Sequence, residues 1–293
     1  TPRGENHGYD LYSLAKNSPD WFCENLTVDD THAIRTEILE TEKKEIVSLY
    51  WNDALYQQEY FCNFTVPLAG AYYADQLMLA TKEGRIGHVP YEDRVPVDTW
   101  WDLGIDDYMA LWFTQSVGAE LRVIDYYQNN GEGFPHYAGV LKERGYVYSS
   151  HTAPHDIKVR ELGTGKSRLE TAKSHGIDFK IAPNLPIMDG INAVRSLLRK
   201  CWFDKTKCEQ GINALKNYRK QFDETRKCYL DKPYHDWSSN GADGFRMCGV
   251  GLNYEYSAKK EMYVPRDSVT VGWNRGSYIP EWSEIPETVR SAR

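Results

Sequence analysis

Three aspartates fall where a carboxylate has chemical work available to it. Asp102 closes the apolar run TWWD, Asp156 ends APHD, and Asp243 stands among small residues in SSNGADGFRM. Carboxylates gathered at one point supply hard oxygen donors suited to Mg²⁺ or Mn²⁺. Two such ions about 4 Å apart can activate water and stabilise both the attacking and the leaving oxygen of a phosphodiester. Taken singly, each acid also fits an ordinary place: Asp102 a residue leaving a strand for solvent, Asp156 a loop acid or helix cap, Asp243 a partner for the dipole of a helix's first turn. Convergence is what would be specific, because unneutralised carboxylates in contact repel by about 4 kcal/mol per pair at about 4 Å and an effective dielectric of about 20.

A second stretch, RELGTGKSR at 160–168, has the look of a nucleotide-binding loop. A phosphate-cradling loop needs glycines at both ends of G-x-x-x-x-G-K-[ST] and a buried strand directly before it. The left position holds Arg160, and the preceding APHDIKVREL is polar and charged. ATP binding is therefore not expected here, and what remains is a glycine-rich loop presenting Lys166.

For the three acids to meet, the intervening chain must carry them to one place. The spacing predicts a helical opening from DTHAIRTEILETEKKEIVSLYWNDALYQQEYF, then a Pro- and Gly-punctuated connector at 84–96. Strand-like runs follow at VDTWWDL, YMALWFTQS and AELRVIDYYQ, which read as an antiparallel meander. After them come a helix in FPHYAGVLKERG with a glycine stop, the strand YVYSSH, a polar loop holding Asp156, the helix RLETAKSHG and the strand DFKIAP. Amphipathic helices are expected around 188–202, with Ile187, Ile191, Val194 and Leu198 on one stripe, and around 207–227. A last helix is expected at about 238–251. Three strands, helix, strand, helix, strand, then helices is the element order of a ribonuclease H-like α/β fold, a mixed sheet flanked by helices. In that topology the ends of the first and fourth strands are neighbours and the last helix crosses the same edge, so the three acids converge.

Composition sets the outer bounds. The 293 residues are 41% hydrophobic, enough for a sizeable core, and no run approaches a membrane span. The opening TPRGENHGYD has no signal-peptide character. Cysteines at 23, 62, 201, 208, 228 and 248 form neither a C-x-x-C pair nor a zinc-finger spacing, so reduced thiols in a cytosolic setting are expected. The net charge of −7 speaks against a generally basic nucleic-acid coat. Between 194 and 232, however, eleven Lys and Arg stand against five Asp and Glu. That local excess is open to a solvated face or to phosphate binding through Arg195, Arg199, Lys200, Lys216, Arg219 and Lys220.

Several pieces, in order, carry a family resemblance: TPRGENHGYDLY, YQQEYFCNF with GAYY, WDLGIDDYMALWF, APHD with GTGKSRLE downstream, GINAVRSLLRKCWFD, LKNYRKQFDE and HDWSSNGADGFRM. Over roughly residues 1–250 the chain resembles the C-terminal part of the large terminase subunit of tailed bacteriophages, the DNA-packaging motor and nuclease. The resemblance implies that Asp102, Asp156 and Asp243 are catalytic ligands of two Mg²⁺ or Mn²⁺ ions. It matches Asp107 to a further acid of the first-strand motif, which either helps hold metal or caps the turn. It places His155 and His235 beside the second and third acids, in phosphate contact or orienting the ligands, and makes Lys166 and Arg168 DNA-backbone contacts.

The family usually carries histidine where this chain has Asn240, and alanine where it has Gly244. TPRG resembles the late ATP-coupling motif of the family's motor domain; with no Walker A or Walker B upstream, ATP hydrolysis by this chain is not expected. The implied domains are 1–94, the trailing part of the ATPase domain and linker; 95–252, the nuclease; and 253–293, a tail. The implied substrate is double-stranded DNA, the partners a portal protein and a small terminase subunit, and the setting the cytoplasm of an infected bacterium, at the procapsid. Two alternatives stay open: a resolvase- or integrase-like nuclease of the same fold, and a non-catalytic module docking to a portal or capsid protein.

Overall fold

The structure is a computed structural model and describes residues 7–50, 53–64, 70–104, 107–160, 165–223, 225–226 and 228–262. The TPRG opening, residues 161–164 of the glycine-rich loop and residues 263–293 of the expected tail lie outside the described residues. Residues 1–254 cluster into one compact unit and residues 255–293 into a second.

The N-terminal part is helical, as expected: α1 His7–Lys16, α2 Val28–Thr31, α3 Thr36–Tyr50, α4 Ala54–Phe61 and α5 Ala74–Lys82. Strand β1, Ile86–Gly87, then forms inside the stretch expected to be a connector. Next come β2 Val97–Asp102, β3 Met109–Val117, β4 Glu120–Asn129, α6 Phe134–Arg144, β5 Tyr148–Ala153, a 3₁₀ turn at His155–Lys158, α7 Arg168–Ser174 and β6 Phe179–Ile181. The chain continues through α8 Ile187–Leu197, β7 Cys201–Asp204, α9 Glu209–Asn217, β8 Lys220–Asp223, β9 Cys228–Pro233 and α10 Trp237–Met262.

Seven strands form one mixed sheet in the order β1-β7-β4-β3-β2-β5-β6. The meander β2-β3-β4 is antiparallel, while β5 joins β2, β6 joins β5, and β7 joins β4 in parallel. Because β-strand side chains alternate between faces, Trp101, Leu111 and Phe113 pack into one core with Phe134, Tyr137 and Leu141 of α6 and Ala172 of α7. Trp100, Ala110 and Trp112 pack into the other, with Ile191 and Val194 of α8, Ile212 of α9 and Phe245 of α10. The same parity puts Asp102 on the face of Trp100, towards α10.

Local signals account for the ends of the helices. Gly145 stops α6 at φ +66°, a left-handed conformation that glycine adopts without a Cβ penalty. Ser167 caps α7: its hydroxyl accepts from the Glu170 amide at 3.1 Å, and Glu170 Oε2 accepts from the Ser167 amide at 2.7 Å. The serine of the GKS triplet is therefore the N-cap of a capping box.

Three helix expectations are corrected, the simplest being the last helix, which runs on to Met262 and not to about 251. The stretch 188–202 is helical only to Leu197, after which a 3₁₀ turn leads into β7. CWFD is a four-residue buried strand, too short to show a period, and it is held by parallel partners on both sides. Ile187 is 47% exposed, so the buried stripe is Ile191, Val194 and Leu198. Likewise 207–227 is helical only over α9; the rest is the β8–β9 hairpin. There Asp223 Oδ1 accepts from the amides of Thr225 and Arg226, a turn that competes with helix continuation, and Phe222 packs on Tyr229 at 5.0 Å across the strands.

Candidate active site

Asp102 is the last residue of β2, and β5 runs parallel beside it with Trp100 opposite Thr152. Asp156 follows β5 in the 3₁₀ turn and is exposed. Parallel neighbours end at the same edge of a sheet, so these two acids share that edge. The third comes from α10, which lies directly on the ends of β2 and β3. A Cβ added at Gly244 would stand 3.4 Å from both the Asp102 amide nitrogen and the Ala110 carbonyl oxygen. The indole nitrogen of Trp112 donates to the Gly241 carbonyl at 2.7 Å, tying the helix to β3.

The carboxyl of Asp102 is recessed, and burial is the largest cause pushing its pKa well above the usual carboxylate range. The charge of Asp243 adds to that rise, Arg246 opposes it, and Asp156 and Asp107 raise it further. Three further acids thus bear on Asp102. Asp243 Oδ1 accepts from Tyr218 Oη at 3.2 Å and from Arg246 Nε at 3.1 Å. Asp107 Oδ1 accepts from Asn240 Nδ2 at 2.8 Å and from the Tyr108 amide, and His235 Nε2 lies 3.5 Å from Asp107 Oδ2. The asparagine at the position where histidine was expected is therefore buried and bonded to the fourth acid, while Gly244 leaves room for the alanine expected there. His155 is exposed next to Asp156.

The chemistry of the donor set, carboxylate oxygens near a recessed acid, suits a hard divalent cation. Among the described residues, no group of three or more His, Cys, Asp or Glu side chains is drawn tightly enough to cage an ion.

The basic residues divide. Lys166 and Arg168 flank the start of α7, the crossover helix between the parallel strands β5 and β6. A crossover helix begins where the first strand ends, so both belong to the edge that carries Asp102 and Asp156. Lys216 is on α9, and Arg219 and Lys220 lead into the hairpin; Arg219 pairs with Asp236 and Lys220 with Asp231, each at 2.8 Å. Arg195 donates from Nε to the Tyr72 carbonyl at 2.9 Å. Arg199 and Lys200 precede Cys201, whose partner Leu121 is at the start of β4, parallel to β2. They stand at the opposite edge of the sheet from Asp102.

Sequence reasoning missed Arg246 and Tyr218 as partners of Asp243. Arg246 was legible, three residues after Asp243 on one expected helix. Tyr218 was not, because the contact spans 25 residues and depends on how α9 and α10 pack.

Residues 99–228 match the family described as the terminase RNaseH-like domain. The fold is ribonuclease H-like, and the resemblance to terminases holds over that span, which contains Asp102, Asp107 and Asp156. No curated protein matches the sequence. Among solved structures, the chain is similar to a large terminase from a thermophilic bacteriophage, at 16% identity and a TM-score of 0.48, over 86% of this chain and 61% of that one. It thus spans about three fifths of that protein's length. It is also similar to the nuclease domain of the P22 large terminase (15% identity, TM-score 0.45, 59% of this chain and 90% of that one). A further similar structure is the large terminase nuclease of the thermophilic phage G20c with bound cobalt (14% identity, TM-score 0.44, 62% and 98%).

Proposed function

We propose that this chain is a divalent-metal-dependent endonuclease of a viral DNA-packaging terminase, cutting concatemeric double-stranded DNA by phosphodiester hydrolysis. What supports the reading is that Asp156 and Asp243, from segments far along the chain, lie near enough to Asp102 for their charges to help raise its pKa, with Asp102 and Asp156 inside the span matched to the terminase RNaseH-like domain. Asp102, Asp156 and Asp243 would hold Mg²⁺ or Mn²⁺, with Asp107 beside them. Bound there, two ions would supply an activated water and charge neutralisation at the phosphate.

The chain's own contribution is positioning. The β2–β5 pair fixes two acids, α10 brings the third, and Asn240 holds Asp107. His155 and His235, both exposed at the site, are placed to contact phosphate or orient ligands. Lys166 and Arg168 would hold the DNA backbone beside the acids. In this reading residues 1–94 belong to the motor side, 95–252 to the nuclease and 253–293 to a tail, with portal and small-subunit partners in the host cytoplasm.

The test is Mn²⁺-dependent nicking of supercoiled plasmid. Asp102→Asn, Asp156→Asn and Asp243→Asn should each abolish it while the far-ultraviolet circular dichroism stays parental, since only charge is removed. Any one variant retaining near-parental activity would remove that residue from the ligand set, and a metal-indifferent parent would end the proposal.

A further inference from the structure

The acids at this edge are not left to repel one another. Arg246, one turn after Asp243 on α10, has only 18% of its side chain exposed and donates from Nε to Asp243 Oδ1 at 3.1 Å. The fold makes room for it. A Cβ on Gly190 of α8 would stand 2.7 Å from Arg246 Cδ and 2.8 Å from its Cγ, so the stem lies across a helix that passes it only because glycine stands there. A guanidinium so placed is delocalised, weakly hydrated and always charged, the least costly cation to keep half-buried among carboxylates.

We infer that Arg246 is the internal counter-ion of this site: it neutralises Asp243 while no metal is bound, competes with the divalent ion for it, and thereby sets the metal affinity of the centre. The inference rests on the proposal that these acids bind metal. Two physical consequences follow. A divalent ion entering beside Asp243 meets a positive charge already there, which weakens its binding. Without that charge the metal-free protein carries uncompensated repulsion, so metal stabilises it more. Coupling of this kind is reciprocal: whatever Arg246 takes from metal affinity, bound metal takes from the Arg246–Asp243 pair.

The experiment is calorimetric titration of the full chain with MnCl₂, without DNA, on the parent, Arg246→Gln and Arg246→Lys, with thermal melts in EDTA and in Mn²⁺. Arg246→Gln should bind Mn²⁺ more tightly by roughly fivefold or more. It should melt lower than the parent in EDTA and gain more from Mn²⁺. Arg246→Lys keeps the charge and should stay within about twofold of the parent on the same coupling scale. Should Arg246→Gln fail to fold without metal, refolding in Mn²⁺ should recover it, and a variant that stays unfolded in Mn²⁺ overturns the inference. So does unchanged or weaker binding by Arg246→Gln, or an equal shift in both variants, which would assign the arginine to packing alone. A parent that takes up no Mn²⁺ would overturn the metal-site reading itself, and this inference with it.

Discussion

Burial decides which side chains here can hold a proton, and His151 shows it away from the acids. It stands on β5 with Thr99 Oγ1 2.7 Å from its Nδ1 and the rings of Trp101, Tyr148 and Phe179 around it. Burial lowers its pKa from 6.5 to about 4. The unfolded chain therefore takes up a proton between pH 6.5 and about 4 that the folded chain refuses. The stability this histidine leaves intact above pH 6.5 is lost as pH falls through that window, by about 3 kcal/mol at most on the scale of 1.36 kcal/mol per pKa unit. Urea unfolding of His151→Gln across pH 4 to 7 should show a shallower acid-side loss than the parent. Identical slopes in the two proteins would mean that His151 is already charged in the folded state.

Among the elements, α10 carries most of the consequences, because it must lie close enough to the sheet to bring Asp243 to Asp102. Two of its glycines make opposite predictions. At Gly241 a Cβ would stand 2.7 Å from Ala214 Cβ and 2.9 Å from Tyr126 Oη, neither of which can swing away cheaply. Gly241→Ala should cost about 1–3 kcal/mol through overpacking. At Gly244 every neighbour is at 3.4 Å, ordinary contact, so Gly244→Ala should be neutral or stabilising by up to about 1 kcal/mol from helix propensity. Thermal melts of the two variants decide it, and a reversed order would mean that α10 sits at a different height on the sheet.

The start of this helix was legible in the sequence, though it runs to Met262 and not to about 251, as were β2 to β6 and the meander, because most of them are long enough to show a period or are closed by a glycine or a cap. The strand CWFD and the β8–β9 hairpin were not. Three apolar residues and an aspartate carry no period, and the Lys/Arg-rich hairpin reads as the polar face of a helix until the turn at Asp223 is seen. At the site, residue types and order pointed to Asp102, Asp156 and Asp243, and the family resemblance added Asp107. The pairing of Asp107 with Asn240 and of Asp243 with Tyr218 is a product of packing, which no local spacing encodes.

For the molecule as a whole, the question is how a chain with a net charge of −7 could hold a polyanion. Its basic residues are not equivalent once folded. Lys166 and Arg168 stand at the edge with Asp102 and Asp156, whereas Arg199 and Lys200 stand at the opposite edge, before β7. Arg219 and Lys220 already face Asp236 and Asp231, so much of their charge is answered within the chain. A duplex lying across the acids would release counterions through the first pair and not the second. Each neutralised phosphate contributes about −0.9 to the slope of log affinity against log salt. Replacing Lys166 and Arg168 together by alanine should therefore flatten that slope by up to about two units. The Arg199→Ala, Lys200→Ala double variant should leave it unchanged. Fluorescence anisotropy of a labelled duplex in EDTA, where no cleavage intervenes, measures both over a salt series. If the Arg199/Lys200 pair flattened the slope and the Lys166/Arg168 pair did not, the duplex would run along the far edge of the sheet, out of reach of the acids, and a nuclease centre at Asp102 could not be the purpose of that binding.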